Sequence, residues 1–128
     1  FGRSDLAVAP DEPDYPAYMN FLVMGEATLT FPQTIHLRYT RLEPGRCLEA
    51  ASDYAQWFGS RLRNAEAMMH GEFAAAGRFT MADVSVGYAV MLALSIGLEA
   101  QVPEAAMAYL DRLSRRPAFQ QAKVKQQA

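Results

Sequence analysis

The sequence contains a single cysteine, Cys47, so no disulfide can form within it, which fits a reducing compartment and a cytoplasmic location. Isoleucine is scarce while alanine and leucine abound, which disfavours sheet and favours helix. Basic patches with interleaved aromatics are missing, and the net charge is -2. Nucleic acid is therefore not expected as a partner. The most apolar run, residues 84–98, has 15 residues. A bilayer crossing needs ~20, so the run reads as a buried core helix and no membrane partner is expected. No signal peptide or lipidation motif occurs. The two histidines, His36 and His70, lie far apart, and neither is spaced for a shared metal, so no metal site is expected.

What is present suits one helical domain. Of the 128 residues, 51% are hydrophobic, enough for a core. The proline-rich opening, residues 1–13, reads as the remnant of an interdomain linker. The helical domain then occupies residues 14–128. Asp14 is placed to cap a first helix, with Pro16 in its first turn. Tyr18, Phe21, Leu22, Gly25 and Leu29 follow helical spacing, and Pro32 is expected to kink or break that helix near residues 28–31. Gly25 leaves room for another helix or a ligand to come close. A second helix is expected over residues 48–69, with Tyr54, Trp57, Phe58, Leu62 and Ala65 on its buried stripe. A third starts at Thr80 and is apolar nearly all round, so it is the expected central buried helix. A fourth spans residues 103–114, with Met107, Leu110 and Leu113 inward. A last short helix opens at Pro117, and its polar tail, residues 123–128, is expected to fray. The fold class is thus all-α, a bundle of about five helices.

The stretch FTMADVSVGY, residues 79–88, poses the sharpest chemical question, because Asp83 resembles a catalytic acid in an apolar setting. Its spacing favours architecture instead. Thr80 at the cap and Asp83 three residues later make a capping box, with Asp in place of the commoner Glu. Phe79 and Val84 are placed to form the hydrophobic staple across it.

Other polar residues receive modest expectations. Cys47 lies near a helix start beside Arg46, a setting that lowers a thiol pKa, although a partly buried structural cysteine is favoured. His36 follows the expected Pro32 kink, where either a cleft position or a surface or interface histidine is expected. Glu26, among apolar neighbours, is expected to be buried and paired with Arg38, Arg61 or Arg63.

Two segments, GRFTMADVSVGYAVMLALSIGL and VPEAAMAYLDRLSRRPAFQQA, resemble the C-terminal helical domain of the glutathione S-transferases. Thr80, Asp83, Phe79 and Val84 match that family's capping box and staple. Tyr109, Leu113, Arg116, Pro117 and Phe119 match its helix ending in Arg-Pro-x-Phe. MNFLVMGEATLTFPQTIHLRY looks like the first long helix of bacterial members. The resemblance implies a glutathione S-transferase C-terminal domain-like fold. It also implies that a thioredoxin-like N-terminal domain, which binds the co-substrate glutathione and activates its thiol, is missing. No catalytic residue, cofactor-binding residue or cofactor is then expected in this chain.

On this resemblance the full-length protein is a transferase acting in detoxification, conjugating glutathione to a small hydrophobic electrophile. The chain alone is expected to be inactive. Met24, Gly25, Thr28 and Phe31 are the candidate substrate-binding residues, because the middle of the first helix walls the electrophile cleft in the family. Tyr18 and Tyr39 are secondary candidates. A homodimer through the first two helices, involving Tyr54, Trp57, Arg61 and Arg63, is implied as well. The alternative is a non-catalytic assembly or ligand-binding module on the same fold.

Overall fold

The computed structural model describes residues 4–127, all helix and connection with no strand among them. After a single 3-10 turn (Ser4–Leu6), a long helical rod begins with α1 (Tyr15–Met24) and continues through a π-helical turn (Gly25–Thr30) into α2 (Phe31–Leu37). A second π-helical turn (Arg38–Leu42) ends the rod. Then come α3 (Leu48–Ala67), α4 (Met81–Ser95), α5 (Glu104–Ser114) and α6 (Pro117–Gln127). With the rod taken as one helix, this is the five-helix bundle expected.

The rod corrects one expectation, because Pro32 neither breaks nor stops the helix. Helical dihedrals run through Met24, Gly25, Thr30 and Phe31. The helix instead widens into a π-turn just before the proline. The wider turn accommodates a residue with no N–H and relieves the clash of its ring with the preceding carbonyls. The Thr30 hydroxyl donates to the Gly25 carbonyl at 2.9 Å, tying the turn together.

The rod packs on both α3 and α4, and α5 closes over α4. Phe21, Leu29, Phe58, Leu62, Val86 and Val90 form the centre of the core. Gln33 is also fully buried. Its Nε2 donates to the Leu29 carbonyl at 3.0 Å and to the Ala89 carbonyl at 2.9 Å, pinning α2 to α4. Its Oε1 has no partner among the described residues.

The opening segment packs on the bundle. Val8 is buried in the core, and Arg78 grips Glu12 through both carboxylate oxygens while also donating to the Ala7 carbonyl. The hydrogen bond from Arg78, aided by the Ala9 N–H, holds the Glu12 carboxyl below its ordinary range. Phe1, Gly2 and Arg3, the start of the expected linker, lie outside the described residues.

Several local expectations change. Asp14 occupies the cap position of α1, but its side chain makes no capping bond. The tail expected to fray is helical through Gln127, as its alanine, lysine and glutamine content permits; Ala128 lies outside the described residues. Met107 and Trp57, expected inward, are exposed. Trp57 meets only the edge of Phe31 from α2, and Met107 borders an open groove against α6.

Candidate functional site

Two places carried chemical expectations: the cap of α4 and the middle of the first rod. At the cap, Thr80 is in extended conformation, and its hydroxyl accepts from the Ala82 N–H at 3.3 Å. Asp83 is fully buried. Its Oδ2 accepts from the Thr80 N–H at 2.8 Å and from the Thr80 hydroxyl at 3.3 Å. Its Oδ1 accepts from the Ala74 N–H at 2.8 Å and from the Tyr109 hydroxyl at 2.9 Å. The carboxylate therefore joins the loop before α4, the start of α4 and the middle of α5. Four donors on two oxygens leave no lone pair for a substrate, so Asp83 is a structural hub and not an acid or base. Phe79 and Val84 flank this cap but are not sealed off. Val84 is exposed, and the Phe79 ring lies under the Arg116 guanidinium, 3.6 Å from its centre.

Burial raises the Tyr109 phenol above its ordinary pKa, and the Asp83 charge and hydrogen bond push the same way. Folding therefore favours the protonated phenol. That contribution is complete below the unfolded value of ~10 and is lost as pH rises beyond it. Tyr109→Phe is expected to cost about 1.5–3 kcal/mol at pH 7, the worth of a hydrogen bond to a charged group. The gap between wild type and variant should narrow above pH ~10. Urea unfolding at pH 7 and pH 10.5 checks this, and a constant gap would mean the phenol is not held by Asp83.

In the rod, Gly25 faces α4 so closely that a Cβ there would lie 2.2 Å from Ser85 Oγ and 2.6 Å from the Ser85 carbonyl carbon. The Ser85 hydroxyl reaches back to the Leu22 carbonyl at 2.8 Å. The close approach permitted by Gly25 is thus used by a helix. Phe31 turns the other way and makes edge contacts with Tyr54 and Trp57, its ring half open to solvent. Met24 and Thr28 are half-buried. The structure therefore does not bring the four candidates to one point: Gly25 serves the α4 crossing, and Phe31 serves an exposed aromatic cluster on α3.

The remaining polar candidates also resolve. His36 Nδ1 lies 3.1 Å from the Ala51 carbonyl, which can only accept, so Nδ1 carries the hydrogen and ties α2 to α3. Cys47 is exposed and left-handed (φ 47°), not partly buried, because it caps α3 at a turn. Glu26 is exposed and has no ion pair among the described residues. With Gly25 turned onto α4, the next residue points outward. Among the described residues no three His, Cys, Asp or Glu side chains gather as a metal site, and no helix is long and apolar enough to cross a membrane.

Sequence reasoning missed an apolar groove between α4, α5 and α6. It missed as well the stripe beside it, Met81, Val84, Tyr88 and Met91, which α4 leaves exposed. The all-round apolar character of α4 was the available signal, since such a helix has one more face than the bundle covers.

No family model and no curated protein matches this sequence. Solved structures do. A glutathione transferase from Phanerochaete chrysosporium, determined with oxidized glutathione, aligns over 95% of this chain at 16% identity and a TM-score of 0.78. The apo form of glutathione S-transferase III aligns over 96% at 17% identity and a TM-score of 0.76. A possible glutathione S-transferase from Rhodopseudomonas palustris aligns over 89% at 22% identity and a TM-score of 0.70. This chain spans only 57%, 59% and 53% of their respective lengths. Its fold is that of the C-terminal helical domain of the glutathione S-transferases.

Proposed function

We propose that this chain is the electrophile-binding helical half of a glutathione transferase. In the full-length protein, a thioredoxin-like N-terminal domain binds and activates glutathione, and the helical half holds a small hydrophobic electrophile beside the thiolate. The observation that carries this reading is the match of nearly the whole chain to glutathione transferase structures of which it spans only 57% and 59%. The mechanism follows from that division. A lowered thiol pKa supplies the nucleophile, and a preformed apolar wall supplies proximity. The wall falls to the π-turn region, where half-buried Met24 offers an adaptable apolar surface and Thr28 a hydroxyl one turn on. Gly25 contributes by letting the rod lie tightly on α4, while Phe31 faces away from the wall into the Tyr54 and Trp57 cluster. On this reading the chain alone conjugates nothing, because the group that activates the thiol belongs to the other half.

The exposed cluster Phe31, Tyr54 and Trp57, with Arg61 over the Trp57 ring, is the surface we assign to a homodimer. Detoxification in the cytoplasm is the setting this activity implies. The test is kinetic. In the full-length enzyme, Met24→Ala and Thr28→Ala should raise KM for an aryl halide several-fold and leave KM for glutathione unchanged. Equal effects on both substrates, or none on either, would place the electrophile elsewhere. A second reading, a ligand-binding module without conjugation, draws support from the apolar groove between α4, α5 and α6.

A further inference from the structure

Two anchors hold residues 7–12 to the bundle. The first is Val8, the one buried side chain among residues 5–14. The second is a clamp between residues 66 apart in sequence. Arg78 Nη1 donates to Glu12 Oε2 at 2.8 Å, and its Nη2 donates to Glu12 Oε1 at 2.9 Å and to the Ala7 carbonyl at 3.1 Å. Between the anchors the chain turns. The Glu12 N–H donates to the Ala9 carbonyl at 3.0 Å, with Pro10 at the turn position that suits its fixed φ. The Ala9 N–H returns a bond to Glu12 Oε1 at 2.8 Å.

The two sides of this contact are unequal. Arg78 lies two residues before the Thr80 cap, in the loop whose Ala74 N–H is fixed by the buried Asp83 carboxylate. The seat is therefore part of the firmest region of the fold. The segment laid on it is not. Apart from Val8 its residues are exposed or half-exposed, and the Arg78 and Glu12 side chains keep 41% and 35% of their surface in solvent. A surface ion pair is ordinarily weak, and a bidentate guanidinium–carboxylate pair is the geometry in which one holds. A segment with one buried side chain and solvent-facing bonds opens more easily than a core helix.

We propose that residues 7–12 form a latch that Arg78 closes. The latch opens as a unit while the bundle stays folded, and when closed it fixes the direction in which the preceding chain meets the bundle. Glu12 joins both parts of the device. Its Oε1 closes the turn onto Ala9 and also accepts from Arg78, so losing the clamp loosens the turn. The proposal does not depend on glutathione conjugation, and it uses none of the residues assigned to the electrophile wall.

Native-state hydrogen exchange of the 128-residue chain in low urea tests it, read at the Ala9 and Glu12 amides of the latch and at the Val90 amide in buried α4. In wild type the latch amides should be protected, yet exchange about a hundredfold or more faster than Val90. Their rates should hardly depend on urea, because a local opening exposes little surface. Arg78→Gln should speed both latch amides about tenfold and leave them insensitive to urea. Val8→Ala should do the same from the other anchor. Arg115→Gln, which breaks a surface pair with Asp111, should leave the latch rates unchanged. Latch amides as slow and as urea-dependent as Val90 would mean that the segment unfolds only with the bundle. Unprotected latch amides in wild type, rates unchanged by Arg78→Gln, or an equal speeding by Arg115→Gln would mean that the clamp closes nothing. Each of these results would overturn the proposal.

Discussion

Replacing Asp83 with asparagine should lower the stability of this domain by about 3–5 kcal/mol, the range for losing one member of a buried charged network. The size follows from the geometry. Each carboxylate oxygen accepts two hydrogen bonds, from the Thr80 N–H and hydroxyl on one side and from the Ala74 N–H and Tyr109 hydroxyl on the other. An amide of the same shape turns an NH2 toward one of those donor pairs. The hydroxyl of that pair can turn to accept from the NH2, but the backbone N–H then faces a donor and is left buried and unsatisfied. An exposed capping residue costs only ~0.5–2 kcal/mol when removed. The excess measures how far this side chain joins three parts of the fold instead of one helix end. Guanidinium unfolding reads the difference directly. A loss of ~1 kcal/mol or less would show that Asp83 is an ordinary cap and that the Tyr109 and Ala74 bonds add nothing.

The second large effect is expected at Gly25. A methyl group there would lie 2.2 Å from Ser85 Oγ, 2.6 Å from its carbonyl carbon and 2.7 Å from its carbonyl oxygen. Two of those atoms are backbone, so the clash cannot be relieved by a rotamer change. The rod and α4 must move apart, and the Ser85 hydroxyl bond to the Leu22 carbonyl is strained in the process. Overpacking of this kind costs about 1–3 kcal/mol and occasionally more, and Gly25→Ala should fall at or above the upper end. The helix-propensity gain of alanine over glycine, up to ~1 kcal/mol, offsets only part of it. A second-site variant makes the cause visible. Ser85→Gly removes the Oγ but neither backbone atom, so it should not rescue Gly25→Ala. Full rescue would mean that the side chain alone set the spacing and that the two backbones have room.

These two residues show why much of this fold can be read from the chain and why some of it cannot. Thr80 and Asp83 are three apart, and their pairing is a local consequence of helix geometry. The periodic stripes of α3 and α5 are local as well, and so is the space left by Gly25. The bond from Tyr109 to Asp83 joins residues 26 apart, and no spacing rule foretells it. The same holds for Gln33, whose amide reaches the Ala89 carbonyl from 56 residues away. Pro32 misled in another way. Its missing donor and its ring do forbid an ordinary turn, but the chain answers with a π-turn where a break was expected, a choice made by packing on α3 and α4. The candidate electrophile wall was legible only through the resemblance. In the fold, Met24, Gly25, Thr28 and Phe31 point to different neighbours. The groove between α4, α5 and α6 was harder to read because its walls come from three helices brought together only by the fold.

The measurement closest to the central claim is glutathione conjugation of a generic aryl halide, followed for the full-length protein and for this 128-residue chain at matched concentration. The account predicts turnover by the former and none by the latter, with intact mass confirming which species is present. An inert full-length protein, or conjugation by this chain unaided, would contradict the assignment of the helical half to electrophile binding.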